Sequence, residues 1–378
     1  MGTPATTSWT RRLLPTAQRV SGAELAKRTT RPAFGEVLTE HMVSTRWSAD
    51  RGWHDAEVLP YAPLTMDPAM VGLHYGQVVF EGLKAYRQPD GSVAAFRATD
   101  HARRFQRSAA RLAMPEPPAE LFLDALAELV AADRRWVPST ESQSLYLRPI
   151  LYATDPCLAL RPATEYRLLV MAMVTEAFFG DGAPLVSVWA STRYARAANG
   201  GTGEAKCAGN YAAGFAAQTE ATAHGCQQVV WLDAAEHRWV EEMGGMNIFF
   251  CYGDHVVTPP LSGTLLPGVT RASILTLAPE LGMTVEERPM SLADVRADCA
   301  SGAITEAFAC GTAAVITSIG RLATESGDTT IGDSAPGPVS NRLRATLVGI
   351  QRGRVTDRHQ WLNPLLPRPA QATTTPSE

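Results

Sequence analysis

Apolar and polar positions along the chain fall into short strand-like runs separated by helical stripes. Before residue 180, Val78 to Phe80, Val93 to Phe96, Ser144 to Pro149 and Tyr166 to Val174 read as strands. Two helices lie among them. One is capped by Asp100 and carries an apolar stripe through Phe105, Ala109 and Leu112; the other runs from about Ala119 to Arg134. The run Gly-Asp-Gly-Ala-Pro from Gly180 to Pro184 breaks any regular element and marks a domain boundary. Beyond it, strands are expected near Val186 to Ala190, Gln227 to Leu232, Trp239 to Met243 and Ile248 to Tyr252. Helices are expected near Asn210 to Ala223, Val269 to Ala278 and Ser291 to Ala300, the last opened by Ser291-x-x-Asp294. A hairpin passes through Asp233 to His237. Both halves are α+β, and the second is richer in strand.

The pattern divides the chain into a flexible N-terminal arm over 1–33, a smaller α+β domain over 34–179, an interdomain loop at 180–185 and a larger domain over 186–362. Dense Pro and Thr leave residues 363–378 as a disordered tail. A length of 378 residues suffices for two cores of ordinary size. The best apolar run, Leu168 to Val174, is strand-sized, so no membrane-spanning helix is expected. A formal net charge of -4 offers no basic excess for phosphate backbones, which argues against nucleic acid as a partner. The six cysteines are scattered without CxxC or zinc-like spacing, so no metal site is expected and a reducing cytoplasm is the natural setting.

Lysine usage points to chemistry. Of 34 basic residues only Lys27, Lys84 and Lys206 are lysines, leaving 31 arginines. Arginine can serve surface charge and phosphate contact, but its guanidinium stays protonated and cannot form an imine with an aldehyde. Lys27 lies in the polar arm, and Lys84 follows an apolar strand as a plain solvated end would. Lys206 sits instead among small residues, Gly200-Gly-Thr-Gly-Glu-Ala-Lys206-Cys-Ala-Gly-Asn-Tyr211, which leave room for a planar ligand. A catalytic and a structural lysine are both compatible with these facts. A nucleotide-binding glycine loop is not, because Ala205 and Cys207 stand where Gly and Ser or Thr are needed.

That segment, with Gly225-Cys-Gln-Gln-Val-Val-Trp-Leu232, Glu242-Met-Gly-Gly-Met-Asn-Ile-Phe249, Thr258-Pro-Pro260 and Leu266-Pro-Gly-Val-Thr-Arg271, closely resembles the branched-chain aminotransferases. The likeness also takes in His74-Tyr75 to Tyr86, Leu145-Tyr-Leu-Arg-Pro149 and Gly311-Thr312-Ala313, in collinear order from about Phe34 to Trp361. It implies the two-domain fold of type IV pyridoxal-phosphate enzymes: a smaller α+β N-terminal domain, a larger pseudo-barrel C-terminal domain, and pyridoxal 5'-phosphate in the cleft between them. It also implies a homodimer that moves amino groups between L-leucine, L-isoleucine or L-valine and 2-oxoglutarate, giving branched-chain 2-oxo acids and glutamate.

By that resemblance Lys206 is the catalytic residue, joined to the coenzyme aldehyde and acting as acid and base. Glu242 resembles the carboxylate that faces the pyridine nitrogen, with Glu241 on the opposite strand face and solvated. Tyr211 resembles the partner of the phenolic oxygen. Gly268, Val269 and Thr270, just before and within a helix start, offer amides to the phosphate, joined by Thr312 and Arg104. Arg196 resembles a residue supporting the lysine segment. Phe34, Tyr75, Phe80, Tyr146 and Phe178 resemble the aromatic walls of the substrate pocket, and Arg148 the receiver of the distal carboxylate of glutamate. Leu158 and Leu160 belong to a loop that lids the neighbouring subunit's site in such proteins. Gly245, Ala313 and Ala314 complete the expected substrate contacts.

The chain departs from the pattern in places. Gly245 stands where many relatives have Thr, Phe178 where some have Tyr, and Ala208 where Gly is usual. Ala314 and Thr317 replace a CxxC thiol pair, so no redox switch is expected there. The same fold could host a D-amino acid aminotransferase or an aminodeoxychorismate lyase, or a non-enzymatic pyridoxal-phosphate binder. The joint presence of Glu81-Gly-Leu-Lys-Ala-Tyr86, Leu145-Tyr-Leu-Arg-Pro149 and the Glu242 motif favours the branched-chain reading.

Overall fold

The computed structural model describes residues 8–176, 185–333 and 335–368. In chain order the first half holds β1 (Thr10–Arg11), α1 (Gly22–Arg28), β2 (His41–Ser48), β3 (Gly52–Pro60), α2 (Val71–Tyr75), β4 (Val78–Phe80), β5 (Leu83–Arg87), β6 (Val93–Phe96), α3 (Ala98–Arg111), α4 (Ala119–Ala132), β7 (Ser144–Ala153) and β8 (Glu165–Thr175). The second half holds β9 (Val186–Ala190), α5 (Ala208–Ala212), α6 (Phe215–Ala223), β10 (Gln228–Leu232), β11 (Val240–Met243), β12 (Met246–Tyr252), β13 (His255–Thr258) and α7 (Val269–Glu280). It continues through β14 (Thr284–Glu287), α8 (Leu292–Ser301), β15 (Glu306–Gly311), β16 (Val315–Thr324), β17 (Gly327–Thr330), α9 (Pro338–Gln351) and β18 (Leu362–Leu366).

Among the described residues these strands make two sheets. The first runs β1-β3-β2-β8-β7-β5-β6-β18, with β4 against β7. In the second, β11-β10-β9-β16-β15-β12 closes on itself because β11 also pairs with β12, giving a six-stranded barrel-like ring extended by β13, β14 and β17. Closure leaves these strands no free edge within the ring.

In α3, Ala98, Ala102, Phe105 and Ala109 recur at helical spacing and face the core of the first sheet, while Arg103 and Arg107 are exposed. Phe105 meets Phe122 of α4 with ring centroids 5.6 Å apart. A separate apolar layer joins the two halves: Tyr86 and Phe96 of the first sheet pack with Phe249 and Phe308 of the second and with Ile274 of α7 and Leu343 of α9. The two sheets are therefore locked by shared burial rather than by a thin hinge.

Several expectations need correction. The arm is structured where it is described: β1 pairs with β3, Ser21 caps α1, and the Leu14 amide donates to His41 Nε2 at 3.0 Å. His41 Nδ1 in turn meets Asp133 at 2.6 Å, wholly buried, which ties the arm to the end of α4. The disordered tail cannot begin at 363, because Leu362–Leu366 forms β18 against β6 and buries Leu365 and Leu366. Residues 369–378 lie outside the described residues, as do Phe178 and most of the 180–185 loop. The cap of α3 is Arg97, with φ +53, and Asp100 sits in the first turn, bonded to Arg97 Nε at 2.7 Å. The helix expected over Asn210 to Ala223 is two, parted at Gly214. The β2–β3 hairpin was not legible from the pattern, since inward and outward faces are both largely covered on β2. By contrast, Ser291 Oγ accepts from the Asp294 amide at 3.0 Å, and Asp233 accepts four backbone amides in the hairpin, as the spacing predicts.

Candidate active site

The segment carrying Lys206 crosses from the second half onto the first. The Phe80 amide donates to the Lys206 carbonyl at 2.9 Å, and the Lys206 amide donates to Ser108 Oγ of α3 at 2.9 Å. Gly203, three residues earlier, passes so close to Thr264 that a Cβ there would lie 2.3 Å from its carbonyl oxygen. Small residues here are thus a packing requirement. They deliver the lysine side chain into a cavity of about 450 Å³ between the two sheets.

In that cavity Lys206 Nζ donates to Tyr211 Oη at 2.7 Å and lies 4.8 Å from the centre of the Phe80 ring. Glu242 on β11 is buried; its Oε1 accepts from the Leu266 amide at 2.7 Å and from Asn247 Nδ2 at 3.1 Å, while Oε2 lies 3.1 Å from Arg196 Nε. Burial raises the Glu242 carboxyl above its ordinary range, against Arg196 and the Leu266 amide, which favour the charged form. The carboxylate is therefore held ready for a cationic partner in a poorly solvated place. Glu241 is not solvated as expected: it is buried, bonded to Thr264 Oγ1, and burial raises its carboxyl too.

Arg104 lines the cavity and is fixed by a two-pronged pair with Glu81, at 2.6 and 2.9 Å. His101 Nδ1 meets the same carboxylate at 2.8 Å. Burial alone would raise Glu81, but Arg104 and His101 outweigh it and hold its carboxyl well below the usual range. Arg104 Nη1 reaches the Pro267 carbonyl at 3.3 Å, which sets its charge beside the start of α7. Gly268, Val269 and Thr270, at that helix start, line the cavity, as does Thr312 after β15. Free helix-start amides, a hydroxyl and a guanidinium together make an anion site.

Phe34, Phe80, Tyr146 and Arg148 form another wall, with Gly245 and Ala313 nearby. The Arg148 guanidinium carbon lies 4.8 Å from the Phe80 ring centre and 5.5 Å from that of Tyr146, and its buried Nε has no hydrogen-bond partner among the described residues. Such a group suits a carboxylate ligand.

The expected site residues are thus largely brought together, with exceptions. Tyr75, Leu158 and Leu160 are exposed and do not line this cavity, although Tyr75 Oη donates to the Leu158 carbonyl at 2.6 Å. Ala314 is buried behind Ala313 and does not line it either. Two contributors had no assigned role in the sequence reading: Asn247, which bridges Glu242 and the Leu266 carbonyl, and Glu81, which orients Arg104. Both lie inside the quoted motifs, but a supporting role shows only when the partners are seen.

An amine, a facing buried carboxylate, a hydroxyl within reach of the amine and a separate anion site match the reactive aldehyde, ring nitrogen, phenolic oxygen and phosphate of pyridoxal phosphate. A family model described as amino-transferase class IV matches residues 78–322. The chain belongs to that family of class IV aminotransferases. More particularly, it is 52% identical over 336 residues, 88% of this chain and 91% of the relative, to the branched-chain-amino-acid aminotransferase of Mycolicibacterium smegmatis. A crystal structure of branched-chain amino acid aminotransferase from Escherichia coli matches with a TM-score of 0.72 at 26% identity, covering 85% of this chain and 99% of that one. The enzyme from Thermobaculum terrenum in its PLP holo-form matches at 0.70 and 25% identity, covering 87% and 99%.

Proposed function

We propose that this chain is a branched-chain-amino-acid transaminase, moving the amino group between L-leucine, L-isoleucine or L-valine and 2-oxoglutarate with pyridoxal 5'-phosphate. The observation that carries the reading is Lys206 Nζ set 2.7 Å from Tyr211 Oη in a cavity that also holds the buried Glu242 and the α7 helix start. When bound, the coenzyme supplies an electron-withdrawing ring that acidifies the α-hydrogen of the amino acid attached to it.

The protein's own groups divide the remaining work. Lys206 Nζ takes up the α-hydrogen as a proton and returns it, since it is the amine in the cavity and Tyr211 orients it. Glu242 is suited to keep a ring nitrogen protonated, with its other bonds to Leu266 and Asn247 fixing its direction. Arg104, Gly268, Val269, Thr270 and Thr312 would hold the phosphate, and Arg196 supports Glu242. Phe34, Phe80 and Tyr146 supply apolar area for a branched side chain, while Arg148 receives the distal carboxylate of glutamate when that substrate takes the same place. Ala313, in the turn after β15, would meet the substrate's α-carboxylate.

Tyr75, Leu158 and Leu160 suit a different place: exposed, with Tyr75 bonded to the Leu158 carbonyl, they would close the cavity of a second copy in a homodimer. Two domains, over 34–179 and 186–362, and a cytoplasmic setting belong to the same reading. Among the described residues no helix is long and apolar enough to cross a membrane.

The test is transamination by the purified protein from L-leucine to 2-oxoglutarate, with D-alanine as the control donor. The visible absorbance of the bound coenzyme should fall on adding L-isoleucine, and Lys206→Ala should lose both that absorbance and turnover. Wild-type-like activity in Lys206→Ala, or preference for D-alanine, would overturn the assignment. Sedimentation at equilibrium as a monomer would remove the dimer from it.

A further inference from the structure

Lys84 has no part in the chemistry above and is not the solvated strand end that its sequence position suggests. It lies on β5 at 6% exposure, and its Nζ donates across the interdomain boundary to the carbonyl of Ala313 at 2.7 Å. That carbonyl belongs to the turn between β15 and β16, whose Thr312 and Ala313 line the cavity. The next carbonyl, Ala314, accepts from Arg344 Nη1 of α9 at 3.1 Å, and Ile316 accepts from the same atom at 2.9 Å. The turn is therefore clamped from both halves of the molecule by two side-chain donors on its outward carbonyls.

It is a turn that needs holding. Val315 follows with φ +63, a left-handed conformation that β-branched residues avoid. The lysine is itself in an unfavourable place, since burial first, and then Arg344 and Arg352, bring its amine down to about 7. Tyr86 on the same strand turns its hydroxyl to Gln351 instead, and Arg352 lies over the Tyr86 ring at 5.1 Å. An amine kept against burial and two guanidiniums, in a chain that otherwise uses arginine, calls for a compensating role.

We propose that Lys84 is a positioning residue for the active site: by holding the Ala313 carbonyl it fixes the 311–315 turn so that the Thr312 hydroxyl and the turn amides face the cavity. The proposal rests on the transaminase reading, in which that turn receives coenzyme phosphate and substrate carboxylate. Wild-type, Lys84→Met and Lys84→Arg holoenzymes are compared by KM and kcat for L-leucine and 2-oxoglutarate, and by coenzyme retention during dialysis, read as visible absorbance. Lys84→Met should raise both KM values about tenfold, the scale of one buried hydrogen bond, with kcat changed less than about threefold. It should also shed coenzyme faster, and Lys84→Arg should restore most of both properties. Unchanged KM and unchanged retention in Lys84→Met, with only a lower melting temperature, overturn the proposal. If Lys84→Met does not fold, Lys84→Gln replaces it under the same criteria. Should the wild type bind coenzyme yet fail to turn over L-leucine, the substrate reading falls while retention still decides the role of Lys84.

Discussion

Glu241 and Glu242 are neighbours with opposite surroundings, although both are buried. Glu242 turns to the cavity among Leu266, Asn247 and Arg196, whereas Glu241 spends its Oε1 on Thr264. Removing the first charge should cost chemistry and removing the second should cost structure. We expect Glu242→Gln to lower kcat about a hundredfold, the usual scale for losing one preorganised electrostatic group, while Glu241→Gln stays within about threefold. Steady-state kinetics on the two purified variants would check this, and equal losses would show that the face assignment does not matter. At this scale Glu242 was singled out by its likeness to the family's Glu-x-Gly-x-Met-Asn motif, and it does line the cavity. The burial of Glu241 was not, since it depends on Thr264, 23 positions away.

Elements position these groups by close backbone contact. Gly203 lies against the Thr264 backbone, with a would-be Cβ 2.3 Å from its oxygen and 2.6 Å from its Cα, and neither is a flexible side-chain end. Gly203→Ala should therefore destabilise the fold by about 1–3 kcal/mol and weaken turnover by shifting Lys206 three residues on. Urea unfolding followed by fluorescence would measure the first, and a midpoint equal to that of wild type would contradict it. The end of the chain matters in a similar way: β18 pairs with β6 and buries Leu365 and Leu366. Truncation after Trp361 should cost about 3–6 kcal/mol from those two side chains alone, which the same unfolding experiment would report. Sequence patterns located β9 to β12 and α5 to α8 but not β13 to β17 or α9, and missed β18 because a Pro-rich stretch pairs along one sheet edge only.

For the whole molecule, the shared apolar layer of Tyr86, Phe96, Phe249 and Phe308 brings charges from both halves together at Lys84. Its amine titrates near 7 in the fold, well below the ordinary lysine value that applies when the chain is unfolded. Below pH 7 both states hold the proton, and above the unfolded value neither does. Between them the unfolded chain binds more protons, so this group makes stability rise with pH, by up to roughly 1.4 kcal/mol per unit. Unfolding free energies at pH 7 and 9 should thus rise more in wild type than in Lys84→Met, and equal increments would contradict the burial argument.

By itself, the sequence set Lys206 apart by residue type and small neighbours, and the motifs that resemble the branched-chain aminotransferases grouped that lysine with Glu242 and the helix start at Val269. Only the tertiary structure decided how those groups are held, through Glu81 on Arg104, Asn247 on Glu242 and Lys84 on the 311–315 turn. Asn247 meets Glu242 across the paired β11 and β12, Glu81 reaches Arg104 across 23 residues of the first half, and Lys84 reaches its turn only because the two halves pack. Local spacing carries no record of that, because burial and long-range hydrogen bonding arise only when distant segments share one core.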